Sequence, residues 1–148
     1  MATYHGVYTP KNPSKYTGNI LNIVYRSSWE RAMMASLDES PNIKVWNSED
    51  FIIPYYDPTT KKNRRYHVDF LIETIAGKRM ALEVKPLAEC SPPSKPKRQT
   101  KKSVDNFNRA MRTYIVNQEK WKAAKTYCEK LGIEFKVITE KELFPVKS

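Results

Sequence analysis

Two short apolar segments that carry acidic residues constrain this chain more than any other feature. Residues 67–72 and 80–85 both have the composition of strands, and Gly77 marks a turn between them. Since side chains alternate along a strand, Glu83 and Lys85 should share one face, and a hairpin would place Asp69 beside that face. Carboxylates in a core are costly without a partner or a metal. The pattern therefore predicts a divalent-metal site next to a cation, which is what phosphodiester hydrolysis needs.

Composition favours a polyanionic partner. The 148 residues, enough for one domain with a real core, include 26 Lys+Arg against 16 Asp+Glu, a formal net charge of +10. This excess favours nucleic acid first and an anionic membrane surface second. No apolar run approaches the ~20 residues of a membrane-spanning helix, and the first residues lack a signal-peptide core. Cys90 and Cys128, without CxxC spacing, suit a reducing compartment and exclude a zinc knuckle.

The basic residues are concentrated on both sides of the predicted metal site. Residues 92–125 hold ten Lys and Arg against two acids, and a second group spans residues 61–65. Such a surface can serve solubility alone, but its position favours a track for the phosphate backbone of DNA. Aromatic residues such as Tyr114 are sparse in this run, which argues against a protein that binds single strands by base stacking. The predicted DNA contacts here are Arg64, Arg65 and four residues that we term the basic loop cluster: Lys97, Arg98, Lys101 and Lys102.

Turn and helix signals divide the chain into strands flanked by helices. Residues 1–25, rich in Tyr, Pro and Asn, are expected to form an N-terminal arm or irregular packing segment, and residues 26–148 a single domain. One helix should run from Ser27 or Ser28 to Ser40, and another from about Val104 to Leu131 with a break near Asn117. Strands are predicted over residues 44–56 (one bent strand or two short ones), 67–72, 80–85 and 133–139, with a basic proline-rich loop over residues 86–103. The order helix, strands, helix, strand predicts an α/β architecture of the α+β kind with a mixed sheet.

Glu30 has two interpretations that the residues leave open. It extends the apolar stripe of the first helix, three residues before Met33, where a carboxylate would serve as a third acid near the metal. Ser27 followed three residues later by Glu30 is also a capping box, in which the glutamate bonds the backbone N–H of the cap.

The acids in this order resemble the PD-(D/E)xK nuclease superfamily, which includes many restriction enzymes and the TnsA transposon endonuclease. Glu30 lies in the first helix, Asp69 follows, and after 13 residues come Glu83, Val84 and Lys85, then a basic helix and a strand. Within this superfamily the chain is similar to the head completion nucleases of T4-like tailed phages over residues 25–30, 82–86, 117–124 and 138–140. The resemblance extends over about residues 16–142. One departure is Val68, which stands where the superfamily usually has proline; it leaves the acids untouched.

The resemblance implies a restriction-endonuclease-like core and a role for each site residue. Asp69 and Glu83, helped by the Val84 carbonyl and by Glu30 directly or through water, would hold Mg²⁺ or Mn²⁺, which prefer such oxygen ligands. Lys85 would orient the attacking water and offset charge in the transition state. Lys120 and Lys122 would contact the DNA backbone, although a solvated helix face explains these two lysines equally well.

The resemblance also implies where the protein acts and with what. We expect a metal-dependent DNA nuclease that acts on double-stranded DNA in phage head completion and head–tail joining, and that trims packaged DNA. Its partners would be head and neck proteins near the portal, in the virion and in the host cytoplasm during assembly. Two alternatives stay open: a neck or head-closure structural protein with little or no catalysis, and a DNA-binding module. The acids argue against the DNA-binding module, because binding alone would not place carboxylates where a phosphate must approach.

Overall fold

A computed structural model describes residues 5–143, and it confirms the predicted α+β fold with a mixed sheet. Besides short 3-10 helices at Pro13–Lys15 and Leu87–Cys90, three α-helices and eight strands occur in this range, in the order that follows. They are β1 (Gly6–Val7), β2 (Val24–Tyr25), α1 (Ser28–Glu39), β3 (Ile43–Ser48), β4 (Ile52–Asp57), β5 (Lys62–His67), β6 (Phe70–Thr74), β7 (Arg79–Val84), α2 (Lys101–Lys130), β8 (Ile133–Ile138) and α3 (Glu140–Leu143). In the same range no helix is both long enough and apolar enough to cross a bilayer.

The central sheet fixes the register of the predicted site. Its four strands lie in the order β3, β6, β7, β8, with β7 and β8 parallel and the other neighbours antiparallel. Phe70 of β6 lies opposite Leu82 of β7, so the residue before Phe70 lies beside the residue after Leu82. Asp69 and Glu83 are therefore neighbours, as the hairpin argument predicted.

Alternation along the strands builds a separate core on each face of the sheet. Leu82 and Trp46 pack with Met34 of α1 on one face, while Ala81 packs with Ala124 of α2 on the other. Side chains at every second position point to the same side, so Glu83 shares the α2 face with Ala81. The acids are thus placed between the sheet and the second helix.

The segment before α1 is built into the first core. Tyr8, Tyr16, Ile23 and Tyr25 are all buried there, and β1 pairs with β2. Asp38 of α1, fully buried, accepts hydrogen bonds from the Tyr8 hydroxyl and from two backbone N–H groups of this segment. Residues 5–25 are therefore held against the domain by a buried polar anchor as well as by apolar packing.

Two sequence predictions near the site were wrong in detail. The strand expected over residues 67–72 begins at Phe70, and Asp69 lies in a bend just before it, in keeping with the poor fit of aspartate within strands. The basic residues 62–65 belong to β5, which pairs with β4 to form a hairpin. This strand was missed because four exposed polar residues precede Tyr66, its one buried residue. The expectation of two short strands over residues 44–56 is confirmed by β3 and β4.

The second helix also differs from its prediction. It is continuous from Lys101 to Lys130, without a break at Asn117, because apolar positions in its second half pack against the sheet and the β4–β5 hairpin. It begins three residues earlier than expected, since Thr100 and Ser103 form a reciprocal capping box. Lys101 and Lys102 therefore lie on the helix and not in the loop. Gly132 follows the helix with a φ of 70°, the left-handed conformation that glycine favours at this position.

Candidate active site

Hydrogen bonds between β7 and the bend before β6 hold the two predicted acids side by side. The Asp69 N–H donates to Glu83 Oε1 at 3.3 Å, and the Val84 N–H donates to Asp69 Oδ2 at 2.9 Å. Glu83 is buried, whereas Asp69 is half-buried at the edge of an open cleft. The Glu83 carboxylate is therefore anchored by the backbone of the bend, the Asp69 carboxylate by the backbone of β7, and the pair has little freedom to move apart.

The charges at this edge of the sheet are mutually unfavourable. Burial raises the pKa of Asp69 well above its usual range, and the neighbouring Glu83 raises it further. Burial also raises the pKa of Glu83. The charge of Lys85, two residues after Glu83, opposes both shifts. A cation bound between the carboxylates would relieve the repulsion that Lys85 offsets only in part.

The oxygen donors suit a hard divalent ion. Among residues 5–143, no three His, Cys, Asp or Glu side chains come close enough to form a three-ligand metal site. Mg²⁺ does not require one, because it commonly keeps several waters and binds through one or two carboxylates. Asp69 and Glu83 meet that requirement, and burial, which raises the pKa of both, makes a bound cation favourable.

Glu30 lies in the cap of α1, and its carboxylate faces other donors than the predicted capping box requires. Ser27 caps α1 by accepting a hydrogen bond from the Glu30 N–H at 3.1 Å. The Glu30 carboxylate accepts from the Arg26 N–H and the Ser27 hydroxyl, each at 3.4 Å, and not from the N–H of Ser27 itself. Burial raises the pKa of Glu30, and the charge of Asp69 raises it further. Glu30 thus takes part in the cap while it lies within the electrostatic field of the site.

The cleft over the acids is lined by basic and aromatic side chains. It has a volume of about 630 Å³, and its lining includes Arg64, Arg65 and Lys120, three of the predicted DNA contacts. The Lys120 ammonium lies 5.4 Å from the ring centre of Tyr66. Arg64 is anchored in the β4–β5 hairpin, where its Nε donates to Asp57 Oδ2 at 3.1 Å. These cations create a positive field where a phosphate would approach the carboxylates.

The other predicted DNA contacts lie away from this cleft. Lys122 is exposed and lines a shallow depression with Pro54 and Tyr56 on another surface of α2. All four members of the basic loop cluster are exposed, and two of them begin α2. At 1.5 Å per residue, Lys101 is about 28 Å along the helix from Lys120. Apart from Lys122, the predicted DNA contacts therefore form two groups, one at the cleft and one, the basic loop cluster, at a distance from it.

Sequence reasoning missed Tyr66, which lies directly beneath the acids. Tyr66 is only 2% exposed, and burial together with the charges of Glu83 and Asp69 raises the pKa of its hydroxyl. This hydroxyl lies near Glu83 and the Trp121 indole N–H, yet neither it nor the indole makes a well-formed hydrogen bond among the residues that the structure describes. Since buried polar groups are normally paired, both groups are free to serve a ligand or a water beside Glu83. The sequence signal was the single large aromatic residue in an otherwise polar segment.

Sequence reasoning also missed Glu49, which connects the turn after β3 to the site. Glu49 has a φ of 60°, a strained conformation for a residue with a side chain. Its N–H donates to the Asp69 carbonyl at 3.1 Å, its own carbonyl lies 3.1 Å from His67 Nδ1, and its carboxylate pairs with Arg26. These contacts fix the bend that carries Asp69. The left-handed backbone of a glutamate has no signature in a single sequence.

Comparison with known proteins relates this site to nucleases. Residues 40–140 match the family described as TnsA-like endonuclease N terminal, a range that includes Asp69, Glu83 and Lys85. The head completion nuclease of Enterobacteria phage T4 is 41% identical over 137 residues, which cover 93% of this chain and 91% of the T4 protein. The resemblance stated from the sequence is therefore confirmed.

Proposed function

The chain belongs to the TnsA-like endonuclease family, and from this premise we propose that it is a metal-dependent DNA nuclease that acts in phage head completion. The observation that carries the proposal is the pair of adjacent acids at the edge of the sheet, which lie within the electrostatic field of Lys85. Asp69 and Glu83 are hydrogen-bonded to each other's strands, and Lys85 lowers the pKa of both. A protein that only bound DNA would gain nothing from repulsive carboxylates at the bottom of a basic cleft.

In the proposed mechanism the acids bind the metal ion, and the basic side chains act on the water and the phosphates. Asp69 and Glu83 would hold Mg²⁺ or Mn²⁺, with the Val84 carbonyl as an added ligand and Glu30 acting directly or through water. Such an ion supplies Lewis-acid polarisation of the phosphoryl oxygens and of the attacking water. Lys85 would orient that water and offset the charge that develops on the phosphoryl group. Lys120, Arg64 and Arg65 would hold the flanking phosphates in the cleft.

The phage role comes from the named relative and fits the charge of the chain. The T4 protein is named as a head completion nuclease and is related over nearly the full length of both chains. A nuclease that works on the DNA of a filled head would meet double-stranded DNA and the proteins around the portal. The exposed basic loop cluster offers a second contact with DNA or with those proteins. Its distance from the cleft means that it would position the substrate and would not take part in the chemistry.

A cleavage assay on linear and closed circular DNA tests this proposal. Wild type should nick or cut both substrates in Mg²⁺ if it is an endonuclease, whereas an exonuclease would degrade only the linear DNA. Lys85→Ala should lose at least about a hundredfold in rate, the usual effect of removing a group that stabilises the transition state. Lys136→Ala, which removes an exposed lysine from β8, is the matched control and should cleave normally. Equal rates for Lys85→Ala and Lys136→Ala would contradict the proposed role of the site.

A further inference from the structure

A second groove runs along α2 next to the cleft that holds the acids. It has a volume of about 470 Å³ and lies between residues 88–93 and the first half of the helix. Ala88, three residues beyond Lys85, lines one wall, and Asn117, one helical turn before Lys120, lines the other. Lys120 lines the cleft that holds Asp69 and Glu83, so the groove comes within one helical turn of that cleft along α2.

Asn117 gives this groove an unsatisfied hydrogen-bonding group. The residue is only 5% exposed, and its side-chain amide, which makes no hydrogen bond within residues 5–143, is accessible from the groove that it lines. A buried carboxamide has two N–H donors and one carbonyl acceptor, and leaving them unpaired is unfavourable unless a ligand or water completes them. The amide was expected to cap a helix, but the helix continues through it. Neither capping nor pairing within this part of the chain therefore explains a buried amide at this position.

The remaining walls suit a flat ring attached to a phosphate. Pro93 and Ala110 supply apolar contact, Tyr114 adds a half-buried aromatic ring, and Arg109 adds an exposed guanidinium group. Nucleobases stack on aromatic rings, and carboxamides pair with their edges. A duplex backbone would need neither apolar walls nor a buried amide. Glu89 also lines the groove and repels phosphate, which leaves the Arg109 side for the backbone.

We propose that this groove holds an unpaired nucleotide of the DNA strand that is cut at Asp69 and Glu83. The base would lie against Tyr114 with its edge on Asn117, and its phosphate on Arg109. The inference rests on the proposed nuclease function and narrows it to DNA with a single-stranded extension or a frayed end near the scissile bond. One aromatic residue suffices for one base, so the sparse aromatic content of the basic run is consistent with this substrate.

Binding measurements without cleavage test the groove separately from the chemistry. Fluorescence anisotropy in EDTA would compare a blunt duplex with the same duplex carrying a short single-stranded extension on either strand. Wild type should bind one of the extended duplexes roughly tenfold more tightly, within the range of a stacked base. Arg109→Gln, Tyr114→Leu and Asn117→Leu should each remove most of that preference. Arg112→Gln removes the same charge three residues further along α2, outside the groove, and should keep the preference while weakening both probes equally.

The results of these binding measurements distinguish the nucleotide site in the groove from the proposed nuclease activity. Equal binding of blunt and extended duplexes by wild type would overturn the groove assignment, even if the enzyme cuts DNA in Mg²⁺. Equal effects of Arg109→Gln and Arg112→Gln would overturn it as well. If the groove instead holds an extended peptide of an assembly partner, its variants will bind every DNA probe as wild type does, which also refutes the proposal. A retained preference in a protein that cuts no DNA would refute the nuclease and leave the nucleotide site standing.

Discussion

Replacement of Asp38 by alanine should strongly destabilise the domain, because this one carboxylate anchors the segment before α1. Asp38 is fully buried and accepts hydrogen bonds from the Tyr8 hydroxyl at 2.9 Å, the Lys11 N–H at 2.8 Å and the Asn12 N–H at 3.1 Å. Hydrogen bonds to a charged acceptor contribute about 1.5–3 kcal/mol each. Lys11 and Asn12 are exposed, so water would restore part of the loss at their amides.

We therefore expect Asp38→Ala to lower the free energy of unfolding by about 3–5 kcal/mol. For a chain of this size that corresponds to a fall in melting temperature of roughly 10 °C. Tyr8→Phe removes one donor and leaves the carboxylate with two, so it should cost only about 1 kcal/mol.

Thermal and urea denaturation followed by circular dichroism would measure both effects. Asp105→Ala, at an exposed position of α2, is the control and should melt as wild type does. An Asp38→Ala melting temperature within about 2 °C of wild type, less than 1 kcal/mol for a chain of this size, would refute the anchor. That result would mean that residues 5–25 contribute little to the fold despite their buried tyrosines.

Four further predictions concern the site and its surroundings. Glu30→Gln should keep the cap and the melting temperature but remove most cleavage activity; activity within about threefold of wild type would leave Glu30 only a capping role. Tyr66→Phe should preserve the fold, because the Tyr66 hydroxyl makes no well-formed hydrogen bond within residues 5–143. The same substitution should weaken Mn²⁺ binding measured by calorimetry. An unchanged affinity for Mn²⁺ would exclude a positioning role of the hydroxyl beside Glu83. Alanine at all four positions of the basic loop cluster should flatten the dependence of DNA affinity on salt and leave the melting temperature unchanged. The log–log slope should fall by about 0.9 for each phosphate that is no longer neutralised. An unchanged slope would mean that the cluster serves assembly. Burial raises the folded-state pKa of Asp69 above its unfolded value. Metal-free wild type should therefore lose stability relative to Asp69→Asn as the pH rises above about 4. A difference in melting temperature between the two proteins that stays constant with pH would contradict that shift.

The position of the acids could be predicted because it depends on local rules. Alternation along β7 placed Glu83 on the face opposite to Leu82, and a short turn at Gly77 allowed β6 to pair beside β7. Both rules act within about twenty residues, so no knowledge of distant contacts was needed. The capping role of Ser27 was readable for the same reason.

The rest of the site depends on contacts between distant segments. Tyr66 is buried because β5 folds back on β4 and meets α2, and the sequence of β5 alone is that of an exposed basic loop. Asn117 resembles a helix start, yet packing of the second half of α2 against the sheet and the β4–β5 hairpin keeps the helix continuous. Glu49 adopts a left-handed conformation that is stabilised by Asp69, Arg26 and His67. None of these outcomes follows from local preference, because tertiary packing overrides it.

The rate of plasmid cleavage in Mg²⁺ and in excess EDTA, for wild type and for Asp69→Asn, tests the central claim most directly. Asp105→Asn, the same change at an exposed position of α2, controls for the loss of a charge. We predict cleavage by wild type and Asp105→Asn in Mg²⁺, no cleavage in EDTA, and a folded but inactive Asp69→Asn protein. Wild-type cleavage that persists undiminished in excess EDTA, or an Asp69→Asn protein that cuts as fast as Asp105→Asn, would contradict a metal-dependent site at these acids.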